Sequence, residues 1–134
     1  MSMARDHADA VLVDNLVTPD AQAWLHTGDP GVDGTANVAK VNDTEDIAKK
    51  GGANFSNPED YQFDGKDWRR VVSQDAVTWD GDEIDTGEEI QYFSLWSEDG
   101  ADVLYIAPVD EPKTTGSDGV TLTAGDLYAG IEVH

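Results

Sequence analysis

The sequence predicts a mainly β fold, an antiparallel sandwich or jelly roll with one short N-terminal helix and a long loop. Beyond Asp67, short β-prone runs recur about every 8–12 residues between turn signals, the spacing of sandwiches and jelly rolls. Helical periodicity is confined to the first segment of the chain. A length of 134 residues with 39% apolar side chains suffices for one buried core. We therefore predict a single β-domain over residues 1–134.

The N-terminal segment, residues 1–18, is predicted to be helical. Side chains suited to one helical face recur there at helical spacing: Ala4, Ala8, Val11, Leu12, Asn15 and Leu16. Pro19 is expected to end this helix. An extended run over residues 21–27 follows and stops at the turn signal Gly28-Asp29-Pro30-Gly31.

Residues 28–66 are predicted to form a long loop. Gly, Asp, Asn and Pro dominate this stretch and apolar residues are sparse. A loop of this length inside a domain tends to be functional, mobile or ordered by a partner.

The remaining chain is predicted to be almost entirely strands. β-prone runs occupy residues 68–72, 76–79, 90–96, 103–107, 119–125 and 127–133. Runs 90–96 and 103–107 flank a polar stretch and are expected to form a hairpin with a longer loop. Pro108 and Pro112 confine the chain after this hairpin to a turn or a sheet edge.

Charge is the most unusual property of the composition. The chain carries 28 acidic and 8 basic residues, a formal charge of −20. This is far beyond the magnitude of roughly 2–8 that keeps a small domain soluble. Since the acids are dispersed along the chain, they indicate adaptation to a salt-rich solvent rather than a binding patch. At molar salt the Debye length falls to about 3 Å, which suppresses the repulsion between carboxylates.

The same negative charge limits the kinds of partner that we expect for this chain. Nucleic acids and anionic membranes bind proteins through neutralised phosphates, so neither is an expected partner. The sequence has no apolar run of the roughly 20 residues that a membrane span needs. Its N-terminus lacks the basic and apolar regions of a signal peptide. We therefore expect synthesis in a cytoplasm without export by a cleaved signal.

Residues that could support catalysis or bind a metal are few. There is no cysteine, and His7, His26 and His134 are far apart in sequence without a nucleophile motif beside them. Asp80, Asp82 and Asp85 offer oxygen donors that calcium prefers, but Ile84 and Asp85 occupy positions where an EF-hand loop needs a ligand and a glycine. These three acids are weak metal candidates. We expect no enzyme activity and no cofactor.

The order of motifs resembles a family of small structural proteins encoded by tailed viruses, either phages or haloarchaeal viruses. Trp24-Leu-His-Thr-Gly-Asp-Pro-Gly31, followed by Gly34-Thr-Ala-Asn-Val38, resembles the family's LHTADPG…GTNEV opening. The segments 68–71, 90–105 and 113–127 are similar to its aromatic-Arg strand, its hairpin and its ending. The loop at 40–66 is longer than usual for the family. Ala101-Asp102 replaces the glycine pair before the Leu-Tyr strand.

The resemblance implies a virion component, since members are usually described as tail-fibre or minor structural proteins. We expect decoration of the capsid as a turret or spike base, with assembly into an oligomer. The expected partners are other virion proteins and copies of the chain itself. The alternatives are a tail-associated structural protein and an acidic DNA-mimic inhibitor. Because the contact surface should be less acidic than the rest, we place it at Trp24, Trp68, Arg69 and Arg70.

Overall fold

A computed structural model describes residues 3–17, 21–41, 43–97 and 102–134. Within these ranges the chain forms one helix and nine strands. Helix α1 spans Arg5–Leu16. The strands are β1 Gln22–His26, β2 Lys49–Lys50, β3 Glu59–Phe63, β4 Lys66–Val72, β5 Val77–Trp79, β6 Glu89–Trp96, β7 Val103–Thr114, β8 Val120–Leu122 and β9 Tyr128–Glu132.

The strands form three antiparallel sheets. The largest has the order β2-β1-β6-β7, the second has the order β3-β4-β9, and the third pairs β5 with β8. The predicted mainly β, sandwich-like fold with one short N-terminal helix is therefore confirmed.

Strands β6 and β7 form the long hairpin of the largest sheet. Their pairing runs from Glu89 opposite Thr114 to Trp96 opposite Val103. Strand β7 lies at the sheet edge and continues through Pro108 and Pro112. Since proline has no N–H to donate, an edge position tolerates both residues. Residues 98–101 of the predicted hairpin loop lie outside the described residues, as does Pro19, the predicted end of the helix.

The prediction of one long loop over residues 28–66 is only partly correct. The segment contains β2 and β3, together with isolated bridges at Val38, Lys40 and Phe55. Strand β3 pairs with β4 across the two-residue turn Asp64-Gly65. Both turn residues have positive φ, 54° and 72°, as a type I′ hairpin turn requires. Polar composition concealed this hairpin, because all five residues of β3 are exposed.

The core lies between the sheets and the helix. Among its fully buried side chains are Trp79, Phe93, Leu25, Ile84 and Ile90. Helix α1 packs on β4 and β9 and buries Ala8, Leu12 and Leu16, as its spacing predicted. No helix among the described residues is long and apolar enough to cross a membrane.

Candidate interaction surface

The opening motif around Trp24 is part of the folded core. The Trp24 ring stacks on Trp96 with centroids 3.9 Å apart and an interplanar angle of 14°. The two rings lie on adjacent strands, since Trp24 pairs with Ser94 across β1 and β6. Trp24 is only 6% exposed. The prediction that Trp24 contacts a partner is therefore corrected: strand pairing places it inside the protein.

His26, from the same motif, makes buried hydrogen bonds. Its Nδ1 lies 2.9 Å from the Ala36 carbonyl and its Nε2 lies 2.7 Å from the Ser94 hydroxyl. Nδ1 therefore carries the proton, and Ser94 donates to Nε2 while accepting from Trp96 Nε1 at 2.7 Å. Burial lowers the pKa of His26, and the Ala36 carbonyl opposes this shift. His26 therefore links the opening motif to β6, which is distant from it in sequence.

Both backbone conformation and packing require the glycine at position 34 of the motif. Its φ is +72°, a conformation that side chains rarely adopt. A Cβ at this position would lie 3.0 Å from Val103 and 3.1 Å from Trp96. The turn after β1 thus packs directly on the β6–β7 hairpin.

An aromatic groove lies on the face of the second sheet opposite the helix. The groove is lined by side chains from β3, β4, β7 and β9: Tyr61, Phe63, Trp68, Arg70, Tyr105, Pro108, Asp110 and Tyr128, together with the backbone of Gly125 and Gly130. Its volume is about 450 Å³. Such a concentration of aromatic rings on an accessible face is typical of an interaction surface.

The outer wall of the groove is the β3–β4 hairpin. Phe63 is 60% exposed and Tyr61 is 36% exposed, and their rings stack with centroids 6.3 Å apart. The Arg70 guanidinium carbon lies 4.0 Å from the centroid of the Tyr61 ring, and its Nε donates to Glu59 at 3.1 Å. This cation–π contact and ion pair hold the wall in one conformation.

The floor of the groove consists of tyrosines with engaged hydroxyls. Tyr128 donates to the Pro108 carbonyl at 3.2 Å, and its ring meets Tyr105 and Phe93 edge to face. Burial, followed by the neighbouring Tyr105, Asp110 and Tyr61, raises the pKa of Tyr128 to about 12. Burial also raises the pKa of Tyr105. The floor therefore presents neutral aromatic surface.

Arg69 points to the opposite face of the sheet from Arg70. Its Nε and Nη2 donate to the Asp9 carboxylate of α1 at 2.7 and 3.1 Å, and its Nη1 donates to Asp60 at 3.0 Å. The side chain is only 15% exposed. Of the four predicted contact residues, Trp68 and Arg70 line the groove. Arg69 instead ties the helix to the sheet, because neighbouring residues of a strand face opposite sides.

The acidic turn around Asp80 brings together a different set of carboxylates from the predicted one. Ligand oxygens of Asp80, Asp82 and Glu83 lie within 4.8 Å of one another, whereas Asp85 accepts a hydrogen bond from the Asp43 amide. The Lys50 ammonium contacts both oxygens of Glu83 at 2.7 Å and holds the pKa of that carboxyl below its usual range. A cation would have to compete with this ion pair.

Comparison of the chain with protein-family models, with curated proteins and with solved structures finds no match. The site must therefore be argued from its own residues. The sequence analysis missed Tyr61, Phe63, Tyr105 and Tyr128 as a group. A local signal for the hairpin was present, because Asp-Gly between two potential strands is typical of a two-residue type I′ turn.

Proposed function

We propose that this chain is a structural component of the virion of a tailed virus that infects a salt-loving host. It decorates the capsid and makes its contacts through the aromatic groove and the β3–β4 hairpin. The observation that carries the contact role is the exposed stack of Tyr61 and Phe63 on an edge strand. Exposed aromatic rings beside unpaired backbone groups are suited to subunit contact.

The order of motifs supports the virion assignment. The segments that resemble the tailed-virus family are packed against one another, since β1 of the opening motif pairs with β6 of the hairpin motif. His26 of the opening motif contacts Ser94 of the hairpin motif, and Trp24 contacts Trp96. These contacts explain the spacing of the two motifs as a requirement of folding. In this proposal the partner contact is made by the second sheet, β3-β4-β9, where the groove lies.

The distribution of charge supports a contact surface at the hairpin. All three arginines of the chain surround β3, and they pair with Asp9, Glu59 and Asp60. Both acids of β3, Glu59 and Asp60, are thereby paired with arginines, whereas most of the remaining surface keeps its negative charge. In brine such a surface stays hydrated, and the aromatic rings of the groove are free to bind.

Fractionation of purified virions tests the proposal. Particles are dissociated, heads and tails are separated, and the proteins of each fraction are identified by mass spectrometry. We expect the chain in the head fraction. Its presence only with tails would favour a tail-associated role over capsid decoration, and its absence from both fractions would contradict a structural role.

A separate binding experiment distinguishes the DNA-mimic alternative. Immobilised chain is exposed to host lysate at low and molar salt, with duplex DNA as a competitor. A nuclease or DNA-binding protein that is retained and then displaced by DNA would support mimicry. The acids of this chain are dispersed, and several are already paired with arginines. Both properties argue against DNA mimicry.

A further inference from the structure

We infer that the exposed edge of β3 binds β3 of a second copy of this chain, joining two three-stranded sheets into one six-stranded antiparallel sheet. The inference rests on the proposed function, because it names one partner within the assembly. Strand β3 pairs with β4 on one side, and all five of its residues are exposed. Within the described residues, no strand pairs with its other side. A sheet edge of this kind presents unpaired N–H and C=O groups to another strand.

The hairpin turn determines which backbone groups of β3 point outward. Asp64-Gly65 is a two-residue turn, so the flanking pair, Phe63 and Lys66, exchanges backbone hydrogen bonds. Hydrogen-bonded and non-hydrogen-bonded pairs alternate along an antiparallel ladder. Tyr61 therefore bonds toward β4, whereas the N–H and C=O groups of Asp60 and Gln62 are directed to the open edge.

These outward groups, together with the requirement that carboxylates do not face each other, select one symmetric register. A two-fold axis at Tyr61 places Asp60 opposite Gln62 of the second copy, and each pair exchanges its N–H and C=O groups. The two Tyr61 side chains then form a non-hydrogen-bonded pair, the kind in which side chains approach most closely. Glu59 lies opposite Phe63 of the second copy. In this register no carboxylate of β3 faces another carboxylate.

Ion pairs make the β3 edge better suited to self-association than other surfaces of this acidic chain. Glu59 accepts from Arg70 at 3.1 Å, and Asp60 accepts from Arg69 at 3.0 Å and also pairs with Arg5. Both acids of β3 are thus bound to arginines of their own copy. Pairing two edges brings together strands whose own acids are paired with arginines, and molar salt screens the remaining repulsion.

Aromatic side chains add apolar contact along the new strand pair. Tyr61, Phe63 and Trp68 lie on the same face of the sheet, because Tyr61 is opposite Trp68 and β3 alternates its faces. In the joined sheet the grooves of the two copies become continuous across the axis. Phe63, which is 60% exposed in one copy, gains a neighbour on the second copy.

Sedimentation equilibrium in molar KCl tests the association directly. We expect a reversible rise in mass from 14.5 kDa to twice that value as the concentration increases. A single 14.5 kDa species up to the solubility limit would overturn the inference.

Substitutions at Gln62 locate the interface. Gln62→Pro removes an N–H that points away from β4, so the hairpin keeps its ladder while the partner loses a donor at both symmetric positions. Gln62→Ala is the matched control, since both variants lose the bond from Gln62 to Asp67 but only proline lacks the N–H. We expect Gln62→Pro to weaken association roughly tenfold or more relative to Gln62→Ala. Equal association of the two variants would overturn the inference.

Cysteine mixing tests the register and does not depend on the proline variant. The natural chain has no cysteine, so Glu59→Cys and Phe63→Cys each introduce a single thiol. In the inferred register these positions of two copies face each other within the Cα range of about 4.4–6.8 Å that disulfides need. Like positions lie roughly 13 Å apart, at about 3.3 Å per residue. Under mild oxidation the mixture should form heterodimers, and neither variant should cross-link alone.

The outcomes separate the inference from the proposed function. Cross-linking of either variant alone, or none in the mixture, would overturn the inferred register. The presence of the chain in virions is measured independently by fractionation. A monomeric chain found in heads would leave the virion role intact, and a dimer absent from virions would contradict only that role.

Discussion

The Ser94 hydroxyl lies 2.7 Å from Nε2 of His26 within the core, and it joins the opening motif to the β6–β7 hairpin. Ser94 also accepts from Trp96, and it donates its own proton to Nε2 of the neutral His26 ring. Protonation of the ring would turn Nε2 into a donor, and the Ser94 hydroxyl would lose the acceptor of its own proton.

This contact predicts a dependence of stability on pH. Burial lowers the pKa of His26 below 6.5, so the folded protein resists protonation and the unfolded chain does not. Its contribution to the free energy of unfolding should be full above pH 6.5 and should fall as the pH drops toward the folded pKa. Thermal unfolding in molar KCl between neutral and mildly acidic pH measures this loss. His26→Gln should flatten the dependence, and His7→Gln, at an exposed position of α1, is the matched control.

Two glycines with the same backbone conformation offer a test of packing at the motif. Gly34 and Gly65 both have φ of +72°, but only Gly34 would bring a Cβ against Val103 and Trp96. We expect Gly65→Ala to cost about 1 kcal/mol of unfolding free energy from backbone strain. Gly34→Ala should cost about 1–3 kcal/mol more, because packed neighbours must shift. Chemical denaturation of the two variants measures the difference, and equal losses would contradict the packing argument.

Arg69 is predicted to hold α1 against the second sheet. Arg69→Lys keeps the charge but loses the two-pronged contact with Asp9, so we expect a loss of about 1–2 kcal/mol and faster hydrogen exchange in α1. Arg70→Lys is the matched control on the adjacent residue, where the partner is the more exposed Glu59. Its effect on α1 should be negligible. Similar exchange rates for α1 in the two variants would refute the assigned role of Arg69.

The net charge of −20 predicts that folding requires salt. Circular dichroism should show the β fold in molar KCl and a progressive loss as the salt is diluted in buffer without divalent cations. Glu83→Gln tests whether the acidic turn matters, since it removes the ion pair with Lys50 but little else. Only a small change in the salt midpoint is expected. A fold that persists unchanged into low-salt buffer would contradict halophilic adaptation.

The sequence predicted those elements that are rich in buried apolar side chains. The helical spacing of Leu12 and Leu16 indicated the helix, and the continuous β-prone run from Ile90 to Trp96, which is largely buried, indicated the central hairpin. Strand β3 was missed for the converse reason. Its residues are all exposed and mostly polar, and only the Asp64-Gly65 turn indicated its pairing.

The candidate site was harder to predict than the fold. Trp68 and Arg70 were identified from their charge and aromatic character, but their companions Tyr105 and Tyr128 come from distant strands that meet only in the folded chain. Sequence reasoning also assigned Trp24 to a partner contact, because an isolated tryptophan does not reveal whether its ring faces a neighbouring strand. Its partner, Trp96, lies 72 residues away.

Electron microscopy of intact virions with a gold-labelled antibody against this chain tests the central claim most directly. The virions are imaged in molar salt, and the positions of the gold particles are mapped relative to head and tail. A role in capsid decoration predicts labels distributed over the head surface. Unlabelled particles, under conditions in which the antibody binds the purified chain, would contradict the account.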